Sequence, residues 1–285
     1  METTLVSELT AQDAAAIVRP LLSAKRCRLA FAGRAGAGKT TMCELLASGS
    51  TIPIINHADG IKDEVLTWVA DCRRRLYIPG EDATFEKFCD FVGISPGLVQ
   101  NDLRDLLMPV WDAFNQLLQD VYDHRLDVTP YCKQTADIDL ATKVAYVDAY
   151  KQFFRTSLQL WGQVVKDLGS NPYHWVDATI GRAMTTVPCL NGDTRFKEEL
   201  ERMSATGWTS VYLDISEATQ KIRRPDLTEE QRNHISEISI GPEDCDFVIN
   251  GELSEADVLL QLAGLLTVDQ QELVAAQQTT AGNYC

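Results

Sequence analysis

Eight residues, Gly33-Arg34-Ala35-Gly36-Ala37-Gly38-Lys39-Thr40, fit the phosphate-loop pattern G-x-x-x-x-G-K-[ST] without departure. The pattern constrains the fold because its chemistry works only between a strand and a helix. Cys27–Ala32 reads as a short buried strand, and the run from Thr41 to Ala47 as a helix, so both flanks are in register. Glycines lack a Cβ, which lets the backbone take positive φ and approach an anion closely. The N–H groups of such a loop converge into a nest, and the following helix adds the positive end of its dipole. In this arrangement Lys39 supplies a point charge for the terminal phosphates. Thr40 offers a hydroxyl to Mg²⁺, and Thr41 reaches a phosphate nearer the base. The sequence thus predicts a nucleoside triphosphate with Mg²⁺ on Gly33, Arg34, Ala35, Gly36, Ala37, Gly38, Lys39, Thr40 and Thr41.

Strand candidates recur along the chain, separated by helical periodicities. They are Thr51–His57, with Pro53 placing it near a sheet edge, then Val187–Asn191, Thr209–Ile215 and Cys245–Asn250. Strands alternating with helices predict an α/β fold with a parallel sheet covered on both faces. A first helix is expected over 7–24, N-capped by Ser7 and broken near residue 19 by Pro20. Others are expected over 60–76, over 141–168 with a break near Gly162, over 174–184, 196–206 and 254–266. The intervening residues show helical patterns at 85–92, 99–107 and 110–122. The expected organisation is a first half of the core over 1–79, a helical insertion over 80–145, a second half over 146–270 and a flexible tail over 271–285.

Ligands in open parallel sheets sit beyond the carboxyl ends of the strands. Asp59, Asp193 and Asn250 all follow strand candidates and are expected along that rim. Asp59 and Lys62 stand three apart at a helix start and could orient a sugar hydroxyl and a phosphate, or serve simply as a cap and a surface lysine. Arg155 and Gln159 stand four apart and project from one helical face. Arginine offers phosphate a planar fork, and glutamine offers a base edge both a donor and an acceptor. Trp161 is either a base-stacking platform or a core residue. Asp193 is placed to hold Mg²⁺ or its water, with Arg195 two residues on to reach a phosphate. Lys221, Arg223, Arg224 and Arg232 lie in a polar segment that could close over the transferring group, the movable cation being the useful part.

A net charge of −15 and a pI near 4.7 disfavour a nucleic-acid partner, because the overall field repels a polyanion. The eight cysteines form no C-x-x-C pair, which points to reduced thiols and an intracellular, cytoplasmic setting. No apolar run approaches membrane-spanning length, so no membrane partner is expected. The sequence leaves a homodimer open.

Taken together, these residues resemble the phage-type deoxynucleoside monophosphate kinases, within the P-loop group of nucleoside monophosphate kinases. The elements that carry the resemblance are Gly33 to Thr40, then Ala58-Asp59-Gly60-Ile61-Lys62 against A-D-P-L-K. Next come Arg155, Gln159 and Gly162 against R-x-x-x-Q-x-x-G, and Asp193 to Glu199 against D-V-R-F-x-N-E. His234-Ile235-Ser236-Glu237 against H-x-S-E and Asp246 to Asn250 against D-x-x-I-x-N complete the series, all in family order. The resemblance implies a three-layer α/β/α P-loop NTPase fold with a five-stranded sheet ordered 2-3-1-4-5. It implies transfer from ATP to a deoxynucleoside monophosphate acceptor held by Asp59, Lys62, Arg155, Gln159 and Trp161. It makes Lys39, Asp193, Arg155, Arg195, Arg223 and Arg224 the catalytic set, puts Asn250 on the donor nucleotide, and makes 221–237 a lid. The chain departs from the family pattern at Thr40, where many relatives have Asp, at Gly60, where they have Pro, and at Lys166, where they have Arg. Two other readings fit the loop. One is a kinase of 5-hydroxymethyluracil already inside phage DNA, and the other a nucleotide-binding switch with no small acceptor. A phage-encoded kinase would work in the host cytoplasm.

Overall fold

The computed structural model describes residues 9–75, 85–91, 101–132, 138–168, 171 and 173–268. The chain divides into two compact units, one made of residues 1–56 and 179–285 and the other of residues 57–178.

The first unit is built on a parallel sheet of β1 (Arg28–Ala32), β2 (Cys189–Asn191), β3 (Trp208–Asp214) and β4 (Phe247–Asn250), in the order β2-β1-β3-β4. β1 is central and pairs with both β2 and β3. Its Leu29, Ala30, Phe31 and Ala32 are all buried, as a strand covered on both faces requires. Of the five strands expected, four are present among the described residues. The 51–57 segment makes a single parallel bridge, Ile54 to Leu190, instead of a strand. Proline explains part of this: Pro53 has no N–H to give a ladder, and only its carbonyl is used, accepting from Leu190 at 3.0 Å.

Helix α1 (Ala11–Lys25) is capped by Thr10, whose hydroxyl accepts from the Asp13 N–H while Asp13 returns the bond. The expected cap, Ser7, lies outside the described residues. The helix runs through Pro20 without the expected break. Its Ala14, Ala15, Val18 and Leu22 are fully buried in a core shared with α13 (Glu255–Thr267), which Ser254 caps, and with Phe31, Leu46, Val211 and Leu213. Helix α2 (Lys39–Ala47) follows the glycine loop directly. Among the described cysteines none forms a disulfide.

The second unit is helical. It comprises α3 (Ala58–Arg74), α4 (Phe85–Phe91), α5 (Asn101–Tyr122), α6 (Leu140–Ala149), α7 (Lys151–Leu168) and the start of α8 (His174–Met184), which continues into the first unit. The two helical patterns at 99–107 and 110–122 are one helix that carries Pro109 inside it. The break expected at Gly162 falls instead at Tyr150, between α6 and α7. Aromatic residues fill the core: Trp68, Phe88, Trp111, Phe114 and Trp161 form one cluster, with Trp68 and Phe114 centroids 4.8 Å apart. The elements left to name lie in the first unit. They are α9 (Lys197–Ser204), α10 (Glu217–Arg223), α11 (Glu229–Arg232) and α12 (Ile235–Ile238). The expected tail over 271–285 lies outside the described residues. No described helix is long and apolar enough to cross a membrane.

Candidate functional site

The glycine loop joins β1 to α2 with Gly33, Gly36 and Gly38 at φ of +131°, +84° and +97°. The space around Gly33 leaves no alternative, since a Cβ there would stand 2.6 Å from the Leu213 carbonyl oxygen of β3. Gly38 is the N-cap of α2 and has no side chain to satisfy the first amides of the helix. These amides are left for an external acceptor. Lys39 folds back so that its ammonium donates to the Gly33 carbonyl and, at 3.0 Å, to that of Arg34. The residue is half-buried, but the ammonium itself is enclosed. Burial is the main cause that lowers its pKa from 10.5 to about 8; Arg195 adds to the lowering, and Glu237 and Asp193 oppose it. Thr40 is exposed, and Thr41 lines a cavity of about 250 Å³ together with Gly36, Gly38, Arg223, Gly251 and Glu255.

The end of β2 comes up against the loop. A Cβ on Gly192 would sit 3.1 Å from Cys43 Sγ and 3.6 Å from the Lys39 carbonyl. Asn191, fully buried, organises the turn that follows. Its Oδ1 accepts from the N–H groups of Asp193 and Thr194 at 3.1 Å and from the Thr194 hydroxyl at 2.8 Å. Its Nδ2 donates to the Ile55 carbonyl at 2.9 Å and to Asp193 Oδ1 at 3.0 Å. Asp193 is therefore held by a residue that sequence reasoning passed over. The available signal was an amide at the last position of a buried strand, directly before Gly-Asp. Arg195 is exposed and donates from Nη1 to Glu237 Oε1 at 2.7 Å.

The polar segment after β3 lies against the same loop. Arg223 donates to the carbonyls of Gly36 at 3.2 Å and Gly251 at 2.9 Å. Arg224 makes a two-pronged pair with Asp226, at 2.8 and 2.7 Å. That pair holds the Asp226 carboxyl down at about 2 and the Arg224 guanidinium above its ordinary value. Arg232 donates to the Arg224 carbonyl, and Lys221 pairs with Glu217. Glu237 is the most telling residue here: its Oε2 accepts from the Ala35 N–H, inside the glycine loop, at 2.6 Å. Asn250 is exposed at the end of β4 and accepts from the Glu252 N–H at 2.9 Å, shaping the turn that presents Gly251.

The remaining expected residues belong to the second unit. Asp59 is buried in the first turn of α3, with Lys62 Nζ 4.0 Å from its carboxylate and 2.7 Å from that of Asp148 on α6. Lys143 of α6 pairs in the same way with Asp63, at 2.7 Å. Arg155 and Gln159 share an exposed face of α7, the opposite face being Phe154, Ser157 and Trp161. Trp161 is a core residue. It is 6% exposed, lies against Phe88 and Phe114, and donates its indole N–H to Glu64 at 2.8 Å. Burial pushes the Glu64 carboxyl up, and the indole hydrogen bond and His174 pull against it. Gly162 lets α7 approach α3, since a Cβ there would be 3.0 Å from Ile61 Cδ1.

No protein-family model matches the chain, and no curated protein matches it.

The chemistry open to this arrangement follows from its donors. The first unit gathers loop amides, an enclosed ammonium and the Arg195 guanidinium near one carboxylate, Asp193, that a buried amide holds in place. Such a set recognises oxyanions and leaves a carboxylate for a cation beside them. The second unit offers a separate guanidinium and amide on one solvent-facing helix surface, and a carboxylate–ammonium pair at a helix start.

Proposed function

We propose that the chain is a kinase of the P-loop type that moves the γ-phosphoryl group of ATP onto a deoxynucleoside monophosphate. The observation that carries this reading is the conformation of residues 33–39. Three glycines at positive φ, an uncapped helix start and a folded-back Lys39 form an oxyanion cradle. In the P-loop fold the 51–57 segment stands as the second strand of the order 2-3-1-4-5. Supporting this, Ile54 bridges to β2 on the side away from β1.

The donor set fits a nucleoside triphosphate: the cradle meets the phosphates, and the cavity at Thr41, Arg223 and Gly251 lies alongside it. Mg²⁺, when bound, neutralises charge on the phosphates. Thr40 and Asp193 would hold it, with phosphate oxygens and water completing its shell. Lys39 keeps its charge against the terminal phosphates. Arg195 and Arg223 stabilise charge that spreads over the transferring group, and Arg224 joins them when it leaves Asp226. Asp59, Lys62, Arg155 and Gln159 bind and orient the acceptor, and Trp161 supports them from the core. The protein supplies positioning and electrostatics, which is most of what phosphoryl transfer asks of it.

The test is a panel of deoxynucleoside monophosphates with ATP and Mg²⁺, read by diphosphate formation. Transfer to at least one is expected. ATP binding with no transfer to any acceptor in the panel would leave the switch reading standing, and transfer only to hydroxymethyluracil-containing DNA would move the acceptor into a polymer.

A further inference from the structure

Glu237 occupies a position that nothing in the roles above explains. Its two carboxylate oxygens reach different donors: Oε2 accepts from the Ala35 N–H at 2.6 Å, and Oε1 accepts from Arg195 Nη1 at 2.7 Å. The Arg195 bond has the length of a charge-assisted bond, and the Ala35 bond is shorter still. The side chain is 10% exposed, against 48% for Arg195, so the carboxylate is set into the loop and does not lie over it. It also bears on Lys39, whose ammonium its charge favours. One carboxylate thus bridges a main-chain amide of the loop and a strand-end guanidinium, and does so across 202 residues of sequence. Two oxygens on one atom, aimed at an amide and a guanidinium, are what a phosphoryl group presents.

We propose that Glu237 is an internal surrogate for a phosphoryl group. It marks a subsite formed by the Ala35 N–H and Arg195, and an incoming phosphate must displace it. This rests on the reading of the 33–39 loop as a phosphate cradle. Two like charges cannot share the subsite, so occupancy is a competition.

The segment that carries Glu237 is built to be displaced. Helices α11 and α12, four residues each, bury no residue. Ile235 and Ile238, on either side of Glu237, are 58% and 50% exposed, and Ile222 is 79% exposed. Apolar packing anchors the chain at Ile240, just beyond α12, and does little within the two short helices themselves. What ties it to the loop is polar: Glu237 to Ala35, and Arg223 to the Gly36 carbonyl. Withdrawal of the whole Glu237 carboxylate from the loop gives up both bonds and frees Arg195 as well. The docked carboxylate thereby holds down both donors that the transferring group needs, and its release makes them available together.

The experiment is titration of the full chain with inorganic pyrophosphate by calorimetry, comparing the native protein with E237Q, E237A and E230Q. Glu230 is exposed on the same segment, so E230Q changes net charge equally without touching the loop. If the docked state outweighs the open one by about ten to one, removing the competitor tightens apparent binding roughly tenfold. E237Q is expected to bind pyrophosphate more tightly than the native protein. E237A, which cannot accept from Ala35 at all, is expected to move in the same direction, and E230Q to match the native protein. Thermal melts check that each variant is folded. Native binding with both Glu237 variants equal or weaker would overturn the proposal while leaving the phosphate cradle intact. Absence of pyrophosphate binding in every variant would overturn the cradle itself.

Discussion

Lys39 carries a prediction with a sign that the structure fixes. Its ammonium is enclosed by the loop and its pKa is lowered from 10.5 to about 8, chiefly by burial. In the ligand-free protein at pH 8 the site is therefore about half protonated. A bound phosphate gives the ammonium an opposite charge at contact distance, which returns the pKa to its ordinary value or above. Binding must then draw protons from solution. The expected uptake is about 0.1 proton at pH 7, about 0.5 at pH 8 and about 0.75 at pH 8.5. Calorimetric titration with ADP in pairs of buffers of different ionisation enthalpy reads this directly, and Lys39→Met is the control that should abolish the pH-dependent part. The same shift affects stability. The unfolded chain keeps the proton up to 10.5 and the folded chain only to about 8, so ligand-free stability should rise with pH across that window. The burial cost carried below it is about 3 kcal/mol. Uptake that stays flat from pH 7 to 8.5, or that persists in Lys39→Met, would refute the account of Lys39.

Further outcomes follow from single contacts. Gly33→Ala would drive a Cβ to within 2.6 Å of the Leu213 carbonyl at φ +131°, so it should lower the melting midpoint by the equivalent of at least about 2 kcal/mol and abolish nucleotide binding. Asn191→Ala should cost about 2–4 kcal/mol in chemical denaturation, because the Asp193 and Thr194 amides and the Ile55 carbonyl lose their partner. It should also lower kcat more than the affinity for ADP. Arg155→Ala should raise the acceptor KM about 10- to 100-fold, as expected for loss of a charged hydrogen bond. Being exposed on α7, it should leave the melting midpoint and ADP affinity unchanged, and a changed ADP affinity would count against its placement with the acceptor.

Local chemistry was legible in the sequence and long-range partnership was not. Gly33, Gly36 and Gly38 could be read because positive φ leaves a glycine signature at fixed spacing. β1 could be read because a strand buried on both faces is a short apolar run, and β3 because Thr209–Ile215 alternates. Gly162 misled for the opposite reason. A glycine in a helical pattern suggests a breaker, yet here it clears space for Ile61 and the helix runs through it. The break at Tyr150 left no comparable mark. Pro53 was read as an edge signal, and the segment that carries it makes only a bridge beside β2. Asn191 is legible in the sequence only as a strand end, and Glu237 only as part of the H-x-S-E match; the role of neither is. Each acts through partners that only the folded chain supplies, Ile55 at 136 residues and Ala35 at 202.

The acidity of the chain looks different once these pairs are known. A net charge of −15 says that the molecule as a whole repels polyanions, and says nothing of how its cations are spent. Arg195 is paired with Glu237, Arg224 with Asp226, and Lys62 with Asp148. These are cations whose sequence positions suggested a phosphate partner, and each is already neutralised by a carboxylate. A phosphate arriving at such a site exchanges one anion for another instead of meeting a bare positive patch. The Coulombic gain is then the difference between two attractions, and the selectivity lies in what a phosphate offers and a carboxylate lacks. That is a third acceptor oxygen and a second unit of charge, directed at the loop amides and at Lys39. An acidic chain can in this way keep a site specific for phosphate without becoming a general sink for anions.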